Sequence, residues 1–525
     1  MECTCVRHTE LPHATKLFTD LTYHFDRVRA FYSYSPHDPE SYAAAARQVH
    51  VSPERRAALV SVLRQQNGPG ASLDLLARPG TVAVVTGQQV GLFSGPVYTV
   101  YKALTAARLA RELTARGIPA VPIFWLATED HDFAEVNHAW VFDRAHRPVK
   151  LEVNSAVASN QPVGEVRLTS IPIDGLRESL REFPFGAEVA DRVALAYTPG
   201  RTLGEAFGAL LRDLLGAFDI LQIDPMAPGV RELAAPTIRA ALAQAPELKR
   251  LVLERNRELN AAGYHAQVHV EDETSFFFLL ENGRRIALRK HNGNYVSGEA
   301  RFSPEELMDR ADHISPNALL RPVVQDSILP TVAYIGGPAE LAYLAQSEVM
   351  YRVLLGRMPV ALHRAGFTLL DARSRKLMDR YHLCLSDFFH GEGALRERIA
   401  AALVPSGLAG VLEETRGTVH QAVQRLEAEL AGFDPTLNAA VRNSYSKIAY
   451  QLSKIERKVG REMLTRDGRA SGEASYLSNL IYPQKHLQER LYSIIPFLAK
   501  HGPELIGQLA ENVHLDCPDH QLLIA

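Results

Sequence analysis

One stretch of sequence, residues 86–96, limits the possible folds of this chain most. It reads Thr-Gly-Gln-Gln-Val-Gly-Leu-Phe-Ser-Gly-Pro, follows an apolar run and precedes a long helical pattern at residues 97–116. This order predicts a strand, a glycine-containing loop and a helix, with Ser94 or Gly95 as the helix cap and Pro96 in the first turn. A helix N-terminus placed in this way offers N–H groups to a carboxylate or phosphate, so we predict an anion site. The loop is neither a Walker A motif nor a Rossmann fingerprint, and a tight turn without a ligand is the alternative.

A second apolar run, residues 120–126, follows this helix and completes a strand–helix–strand unit. Such a unit predicts a parallel sheet with a right-handed crossover. The second strand ends in an acidic turn, Glu129-Asp130-His131-Asp132. Ligands of open α/β sheets bind beyond the carboxyl ends of the strands, so the glycine loop and the acidic turn are predicted to face one crevice. Residues 331–355 repeat the pattern of strand, glycine turn and helix.

The acidic turn is the densest group of polar residues that follows an apolar run. Carboxylates and an imidazole there could orient an amine or hydroxyl, act as a general base or hold Mg²⁺. Adjacent residues point in different directions, so we predict an oriented polar site and no metal site; a solvated turn is the alternative. Lys102 and Tyr98 share a helix face, as do Glu340 and Tyr343. Lys102 would reach an anion or be solvated, and Glu340 would accept from an ammonium or sugar hydroxyl or only favour the helix dipole.

Composition excludes several classes of function. The chain has 525 residues and a formal net charge of −3, which predicts two or three domains and does not suggest nucleic acid as a partner. Apolar runs are too short for a membrane span, and the first residues lack a signal-peptide pattern. The four cysteines do not form a disulfide framework, so we expect a cytoplasmic protein. Cysteines and histidines occur near both ends of the chain, where we expect little function and a docked C-terminal tail.

Strand signals stop after residue 370, and the remaining sequence predicts helices. Apolar residues at heptad spacing fill residues 419–430 and 441–459, joined by a turn at residues 432–435. Two such helices predict a coiled-coil hairpin whose exposed seam would recruit a second copy; an internal helical bundle is the alternative. We predict a core at residues 1–370 with inserted segments at about 145–215 and 262–325. A coiled-coil dimerisation domain would follow at 371–470, and residues 471–525 would pack back on the core through a terminal helix.

Four motifs together resemble a known family. They are residues 86–96 with Tyr98 and Lys102, residues 125–132, residues 329–340 and residues 487–490. In this order they are similar to the motifs of the BshC family, the cysteine-adding enzymes of bacillithiol biosynthesis, and the resemblance spans nearly the whole chain. One departure is the sequence at residues 482–486, where the family pattern has a glycine.

The resemblance implies both a fold and a reaction. The fold is a Rossmann-like core resembling class I nucleotidyltransferases, with inserted connecting segments and a helical coiled coil that forms a homodimer. The reaction joins the carboxyl group of L-cysteine to the amine of glucosaminyl-malate. By fold analogy alone, ATP with Mg²⁺ would activate the carboxyl group, although the His-Ile-Gly-His signature of that superfamily is absent. Rival interpretations are an adenylate-forming enzyme that acts on another carrier and a non-catalytic coiled-coil partner in a thiol pathway.

These arguments select the candidate site residues. The predicted catalytic residues are Asp130, His131, Asp132 and Glu340. The residues predicted to bind substrate or nucleotide are Thr86, Gly87, Gln88, Gln89, Gly91, Ser94, Gly95, Tyr98, Lys102, Trp125, Glu129, Gly336, Gly337, Tyr343, Gln488 and Arg490.

Overall fold

The computed structural model describes residues 3–434 and 436–525. The strands are β1 (Cys3–Val6), β2 (Val82–Gln89), β3 (Ala120–Ala127), β4 (His138–Phe142), β5 (Pro148–Glu152), β6 (Leu221–Ile223), β7 (Thr274–Glu281), β8 (Arg284–His291), β9 (Asn294–Ser297), β10 (Ala300–Phe302), β11 (Ile314–Pro316), β12 (Thr331–Gly336), β13 (Val360–His363), β14 (Phe367–Leu370) and β15 (His520–Ile524).

The α-helices follow the same chain order. They are α1 (Lys16–Tyr23), α2 (Pro39–Arg47), α3 (Pro53–Asn67), α4 (Ala71–Leu76), α5 (Tyr98–Ala115), α6 (Phe133–Val136), α7 (Ile173–Leu180), α8 (Gly186–Ala196), α9 (Leu203–Leu215), α10 (Pro228–Ala243), α11 (Ala245–Ala261), α12 (Pro304–Asp309), α13 (Arg321–Ile328), α14 (Pro338–Leu354), α15 (Ala372–Arg380), α16 (Glu392–Ala402), α17 (Ser406–Phe433), α18 (Leu437–Arg466), α19 (Gly468–Ile481), α20 (Gln488–Leu491), α21 (Ile495–His501) and α22 (Leu505–Glu511).

A parallel sheet in the order β13-β12-β2-β3-β6 forms the centre of the molecule, which confirms the predicted α/β core. Its strands are mostly apolar because helices cover both faces. Along β2, Val82 and Val84 pack in the cluster that contains the α5 residue Leu109, while Ala83 and Val85 pack in the cluster that contains the α14 residue Leu341. The chain passes from β2 to β3 and β6 on one side and to β12 and β13 on the other. The strand order therefore reverses between β2 and β12, where such sheets bind ligands.

Two groups of elements are inserted around this sheet. The first contains the β4–β5 hairpin and helices α7 to α9, and its first strand begins at His138, upstream of the expected position 145. The second is an antiparallel sheet in the order β10-β9-β8-β7-β11. Its β7–β8 hairpin turns at Asn282 and Gly283, which have φ values of 52° and 70°. Asn-Gly turns of this kind suit tight hairpins, because both residues tolerate a positive φ.

Helices α17 and α18 form the predicted coiled-coil hairpin. Ion pairs join Arg416 to Glu456 at 2.6 Å and Arg442 to Glu427 at 3.0 Å, a pairing that requires antiparallel helices. Helix α17 continues through Phe433, so the turn is shorter than expected, and Pro435 of the predicted turn lies outside the described residues. Within residues 3–434 and 436–525, no helix is both long and apolar enough to cross a membrane.

A second sheet corrects the expectation that strands stop after residue 370. Strand β15, close to the C-terminus, lies between β1 and β14, antiparallel to the first and parallel to the second. Its five residues include only three apolar side chains in a row, a run too short to distinguish from the end of a helix by periodicity. The sheet joins both ends of the chain to the segment that follows β13.

Candidate active site

A cavity of about 530 Å³ opens where the strand order reverses. Residues at the ends of β2, β3 and β12 line it, together with residues of the second insertion and the C-terminal segment. A concave site of this size, with apolar walls and a few converging polar groups, suits a small-molecule ligand. The cavity therefore uses parts of the chain that are far apart in sequence.

The strand part of the opening stretch lies at this cavity. Strand β2 continues to Gln89, so Gly87, Gln88 and Gln89 belong to the strand and line the cavity. A Cβ atom on Gly87 would lie 2.9 Å from the carbonyl oxygen of Trp125, which also lines the cavity. Glycine is therefore required here by the close approach of β2 and β3. Thr86 does not line the cavity, because its hydroxyl donates to the carbonyl oxygen of Ile335 and ties β2 to β12.

The loop that follows does not form the predicted anion site. Gly91, Ser94 and Gly95 are buried and do not line the cavity. Their N–H groups donate within the protein: Gly91 to Gln89 O at 3.0 Å, Ser94 to the Tyr197 hydroxyl at 3.5 Å and Gly95 to Leu92 O at 2.9 Å. These three donors are therefore not available to a phosphate.

The start of α5 also differs from the prediction. The helix begins at Tyr98, its N-cap is Val97, and the Val97 N–H donates to Tyr492 O at 2.7 Å. Ser94 and Gly95 have left-handed φ values of 71° and 65°, so they shape a turn that precedes the helix and do not cap it. The hydrogen bond from the Val97 N–H to Tyr492 O is thus found where a capping side chain was expected.

Lys102 and Glu340 form a buried ion pair on one wall of the cavity. The Lys102 ammonium also donates to Gly87 O and Gln88 Oε1, both at 2.9 Å. Glu340 accepts from the Tyr334 hydroxyl at 2.7 Å and from the Gly337 N–H at 2.8 Å. Burial raises the pKa of Glu340, but the Lys102 charge and these donors outweigh it and hold the pKa below its usual value. Three protein partners therefore hold the Glu340 carboxylate in the wall of the cavity, and its catalytic role stays a prediction.

Four further residues predicted for the site lie in or beneath this wall. Gly337 lines the cavity, whereas Gly336 is buried beneath it and does not. The Tyr343 hydroxyl lines the cavity and accepts from Arg321 Nη2 at 2.9 Å. Tyr98 accepts from Gln88 Nε2 at 3.2 Å, and its ring lies 5.2 Å from the Arg364 guanidinium. Aromatic rings and a buried arginine thus continue the wall from β12 to α5.

The residues of the acidic turn take different positions relative to the cavity. Glu129 is buried in an ion pair with Arg231 and accepts from the Ser315 hydroxyl at 3.1 Å, so it anchors the second insertion to β3 although it also lines the cavity. Asp132 is exposed and outside the cavity lining, so the structure does not bring it into the cavity with Asp130. Only Asp130 presents its carboxylate to the cavity and remains accessible there.

Asp130 is held in its ionised form. Burial raises its pKa, but hydrogen bonds from Gln89 Nε2 at 2.5 Å and from the His131 N–H at 2.7 Å, with the Arg285 charge, lower it below the usual value. A carboxylate with a lowered pKa is a weak base but a strong acceptor for a cationic or N–H donor. His131 lies outside the cavity lining, and its Nδ1 is 3.2 Å from Arg285 Nη1. Since arginine only donates, His131 Nδ1 is the acceptor in this contact.

In the C-terminal motif, residues 487–490, some side chains make buried structural contacts and one lines the cavity. Gln488 is fully buried and bonds the backbone of Leu369 at 2.7 and 3.0 Å, so its predicted contact with substrate is wrong. Glu489 forms a buried, two-bond ion pair with Arg364 at 2.6 and 2.8 Å. Burial raises the pKa of Glu489, but Arg364 lowers it to about 2. Arg490 lines the cavity with an exposed guanidinium.

Sequence reasoning missed several residues of the cavity. They are Phe278, Arg285, Asn317, Arg321, Tyr334 and Arg364. Most come from the second insertion and from the helix after it, where a single arginine in a strand or helix gives no recognisable motif. One signal was present: Arg321 is the first residue of α13, before Pro322, and a cation at a helix N-terminus opposes the helix dipole. An unfavourable charge of this kind indicates a function other than stability.

The balance of charge in the cavity is uneven. Five cationic side chains line it: Lys102, Arg285, Arg321, Arg364 and Arg490. Glu340 pairs with Lys102, Glu489 pairs with Arg364, and Asp130 lies 3.9 Å from Arg285. Within the described part of the chain, Arg321 and Arg490 have no carboxylate within ion-pair distance; Arg321 instead donates to Tyr343 and to Gln325 Oε1 at 3.0 Å. Two guanidinium groups are therefore left for the carboxylates or phosphates of a ligand.

Fold and cavity together define a class: Rossmann-like α/β proteins with a cavity lined by cationic side chains at the carboxyl ends of parallel strands, and with a helical hairpin appended. Comparison with known families agrees with this class. Residues 1–365 match the model of the N-terminal Rossmann-like domain of bacillithiol biosynthesis BshC, and residues 367–524 match the C-terminal coiled-coil domain of the same family. The chain belongs to the BshC family.

Curated relatives match this chain from end to end. A protein of Solibacter usitatus named "Putative cysteine ligase BshC" is 57% identical over 524 residues, which covers 100% of both chains. Proteins of the same name from Koribacter versatilis and Salinibacter ruber are 36% and 32% identical and cover 99% and 97% of this chain, and 99% and 96% of their own lengths. The family resemblance inferred from the four motifs is therefore confirmed.

Proposed function

We propose that this protein is a ligase that joins the carboxyl group of L-cysteine to the amine of glucosaminyl-malate, the last step of bacillithiol synthesis. The names of its relatives supply the cysteine ligase activity, and the family description supplies bacillithiol biosynthesis. One observation in the structure carries the choice of acceptor. Arg321 and Arg490 face the cavity and have no carboxylate of residues 3–434 or 436–525 within ion-pair distance, and a malate group has two carboxylates to offer them.

Asp130 has a complementary role in this proposal. The acceptor carries its amine on the sugar, and an ammonium or amine N–H is the donor that an ionised carboxylate binds well. Held by Gln89 and the His131 N–H, Asp130 would orient the attacking nitrogen toward the cysteine carbonyl carbon. A new C–N bond then forms as a C–O bond of the activated carboxyl group breaks. Correct orientation of the two reactants alone lowers the barrier substantially.

The carboxyl group of cysteine must be activated, and ATP with Mg²⁺ is the proposed source of that activation. The glycine loop does not fit a triphosphate, because the N–H groups of Gly91, Ser94 and Gly95 are bonded within the protein. No step is therefore assigned to a nucleotide at this loop.

The proposal extends to assembly and location. We propose a homodimer through the coiled-coil hairpin, since Leu426, Ile448 and Ile455 on its surface are between 43% and 49% exposed. Apolar side chains this exposed along one hairpin are typical of a helix that packs against another chain. A biosynthetic enzyme that handles a free thiol suits the reducing cytoplasm, which is the proposed location.

The decisive experiment is to measure product formation by mass spectrometry. Purified protein is incubated with L-cysteine and glucosaminyl-malate, with and without ATP and Mg²⁺. We expect the mass of the coupled thiol, and dependence on ATP would identify the activating cosubstrate. Absence of the coupled product under both conditions would overturn the proposal.

The role of Arg321 is tested in the same assay. We expect Arg321→Gln to raise the KM for glucosaminyl-malate by about 10–100-fold, because a charge-assisted hydrogen bond to a carboxylate contributes roughly 1.5–3 kcal/mol. Arg352→Gln is the matched control, since Arg352 is exposed on α14 and does not line the cavity. The KM for cysteine should stay within about twofold of the wild-type value. Equal effects on both substrates would remove Arg321 from the malate site.

A further inference from the structure

Two cysteines from opposite ends of the chain meet on the surface, and neither belongs to the motifs of the proposed active site. The Sγ atoms of Cys5 and Cys517 are 3.5 Å apart, although 512 positions separate the residues. Cys5 lies in β1 and is exposed, and Cys517 lies just before β15 and is partly exposed. Neither residue lines the cavity, so the proposed ligase reaction does not explain this pair.

The surrounding contacts keep the two segments in register. Cys5 is opposite Gln521 in the antiparallel pair of β1 and β15. The Tyr23 hydroxyl donates to Asp519 Oδ1 at 2.7 Å and accepts from the His8 N–H at 2.9 Å, which joins the residues after each cysteine. An S–S bond is about 2.05 Å long, so closing the pair requires a movement of only about 1.5 Å.

We propose that Cys5 and Cys517 form a reversible disulfide that clamps the first strand of the chain to the last when the surroundings become oxidising. The oxidant is a low-molecular-weight disulfide. The Cys5 thiolate attacks one sulfur of it, which releases one small thiolate and leaves a mixed disulfide on Cys5. The Cys517 thiolate then displaces the second small thiolate. Two protein thiols are oxidised to one disulfide, and one small disulfide is reduced to two thiols.

The different exposure of the two thiols sets this order. Burial raises the pKa of the Cys517 thiol to about 11, so little of it is thiolate near neutral pH. The exposed Cys5 is the accessible site for the first attack, and Cys517 completes the bond from within the protein. Because thiolate is the reacting form, the second step accelerates as pH rises.

The clamp acts on the sheet that supports one side of the cavity. Strand β1 is an edge strand that pairs only with β15 in this sheet, while β15 also pairs with β14. The Phe367 N–H of β14 donates to Glu489 at 3.3 Å, behind the Arg364 ion pair. A covalent bond between the ends of the chain restricts the unfolded state and keeps this sheet closed, without moving residues of the cavity. The clamp therefore resists unfolding in oxidising surroundings and leaves turnover unchanged.

The test treats the full-length protein with oxidised glutathione at pH 8.5 and compares it with a sample kept in dithiothreitol. Tryptic peptides are analysed by mass spectrometry without reduction. We expect residues 1–7 linked to residues 501–525, with a loss of two hydrogens. Cys3 and Cys5 share the first peptide, so fragmentation spectra must assign the bond to Cys5.

Thermal unfolding of the same samples measures the effect of the clamp. Oxidation should raise the Tm of the wild type by roughly 2–5 °C, reversibly with dithiothreitol. The matched control is Cys384→Ser, an exposed cysteine elsewhere, which should behave like the wild type. Cys5→Ser and Cys517→Ser should lose both the linked peptide and the shift in Tm. Absence of the linked peptide in the wild type, a bond through Cys3, or a linked protein without the shift would each overturn the clamp.

Discussion

Single side chains determine what the cavity can bind, and the role of Asp130 is the easiest to test by mutation. We expect Asp130→Asn to reduce kcat by about 10²-fold, because the amide keeps the shape but loses the charge that would orient the amine in the proposed reaction. Steady-state kinetics with both substrates measure the effect. The change in Tm should be small, since Asp130 is at the surface of the cavity and not in the core.

A neighbouring residue of the same type supplies the control for this prediction. Asp132→Asn should leave turnover within about twofold of wild type, because Asp132 is exposed and outside the cavity lining. The sequence alone predicts the same effect for both residues. If the two variants lose activity equally, the structural assignment of the acidic turn is wrong.

At this scale the sequence predicted that the ends of β2 and β3 face one crevice, but not the partner of each side chain. Gln89 and Asp130 meet across two strands as the βαβ unit requires, and Lys102 reaches the carbonyl of Gly87. Glu340 and Gln488 were assigned to substrate because a polar residue beside a glycine turn or in a motif shows no partner in sequence. Their partners, Lys102 and the backbone of Leu369, are more than 100 positions away.

Among elements, the pairing of β2 with β3 depends on one glycine. Gly87→Ala places a Cβ atom 2.9 Å from the Trp125 carbonyl oxygen and 3.0 Å from Trp125 Cβ, both of which belong to a buried strand that cannot move away cheaply. We expect a loss of about 1–3 kcal/mol in the free energy of unfolding, from overpacking, and weaker ligand binding. Chemical denaturation measures the first and titration of glucosaminyl-malate the second.

A second glycine provides the comparison. A Cβ atom on Gly472, in α19, meets no atom within 4 Å, so Gly472→Ala should stabilise the helix slightly through better helix propensity. Equal stability of the Gly87→Ala and Gly472→Ala proteins would contradict the close approach of β2 and β3.

The coiled-coil hairpin carries the prediction about assembly. Ile448→Asp combined with Ile455→Asp places two carboxylates on the exposed apolar stripe, where burial against another chain without partners costs several kcal/mol per site. Sedimentation velocity should show monomers, with the helix content of the hairpin retained. Lys447→Glu, on an exposed position of the same helix, is the control and should remain a dimer. A dimer in the double variant would place the interface elsewhere.

Heptad spacing predicted this hairpin because that signal is local. Strand β15 was missed because its pairing partners, β1 and β14, are distant in sequence and its own five residues are ambiguous. The start of α5 was misplaced for a related reason. The Val97 N–H finds its acceptor at Tyr492, a contact that no local pattern can reveal.

The molecule as a whole should lose stability in mild acid. Burial lowers the pKa of His8 and His501 to about 4 and of His146 to about 3. Above pH 6.5 these groups are neutral in both folded and unfolded states and make no difference. Between pH 6.5 and about 4 these histidines are protonated in the unfolded chain but neutral in the folded protein. The free energy of unfolding therefore falls as pH falls.

Denaturant unfolding between pH 7.5 and 4.5 measures this dependence. Each histidine that is protonated only in the unfolded state contributes up to about 1.4 kcal/mol per pH unit to the slope of the free energy of unfolding. His8→Gln should flatten the slope by up to that amount, whereas His50→Gln, at an exposed position, should not. A wild-type slope near zero between pH 6 and 5 would show that these histidines titrate normally in the folded protein.

The ion pair of Arg364 and Glu489 has a consequence for how the protein is made. The two residues are 125 positions apart, and the coiled-coil hairpin is synthesised between them. At typical elongation rates of 5–20 residues per second, Arg364 is synthesised about 6–25 s before the Glu489 carboxylate exists. During that interval the nascent Rossmann half holds an unpaired buried cation and an open wall, and Arg490 has not yet been synthesised. A ribosome that stalls within the hairpin therefore yields a chain that can begin to fold but cannot complete its cavity, so activity appears only when translation is nearly finished.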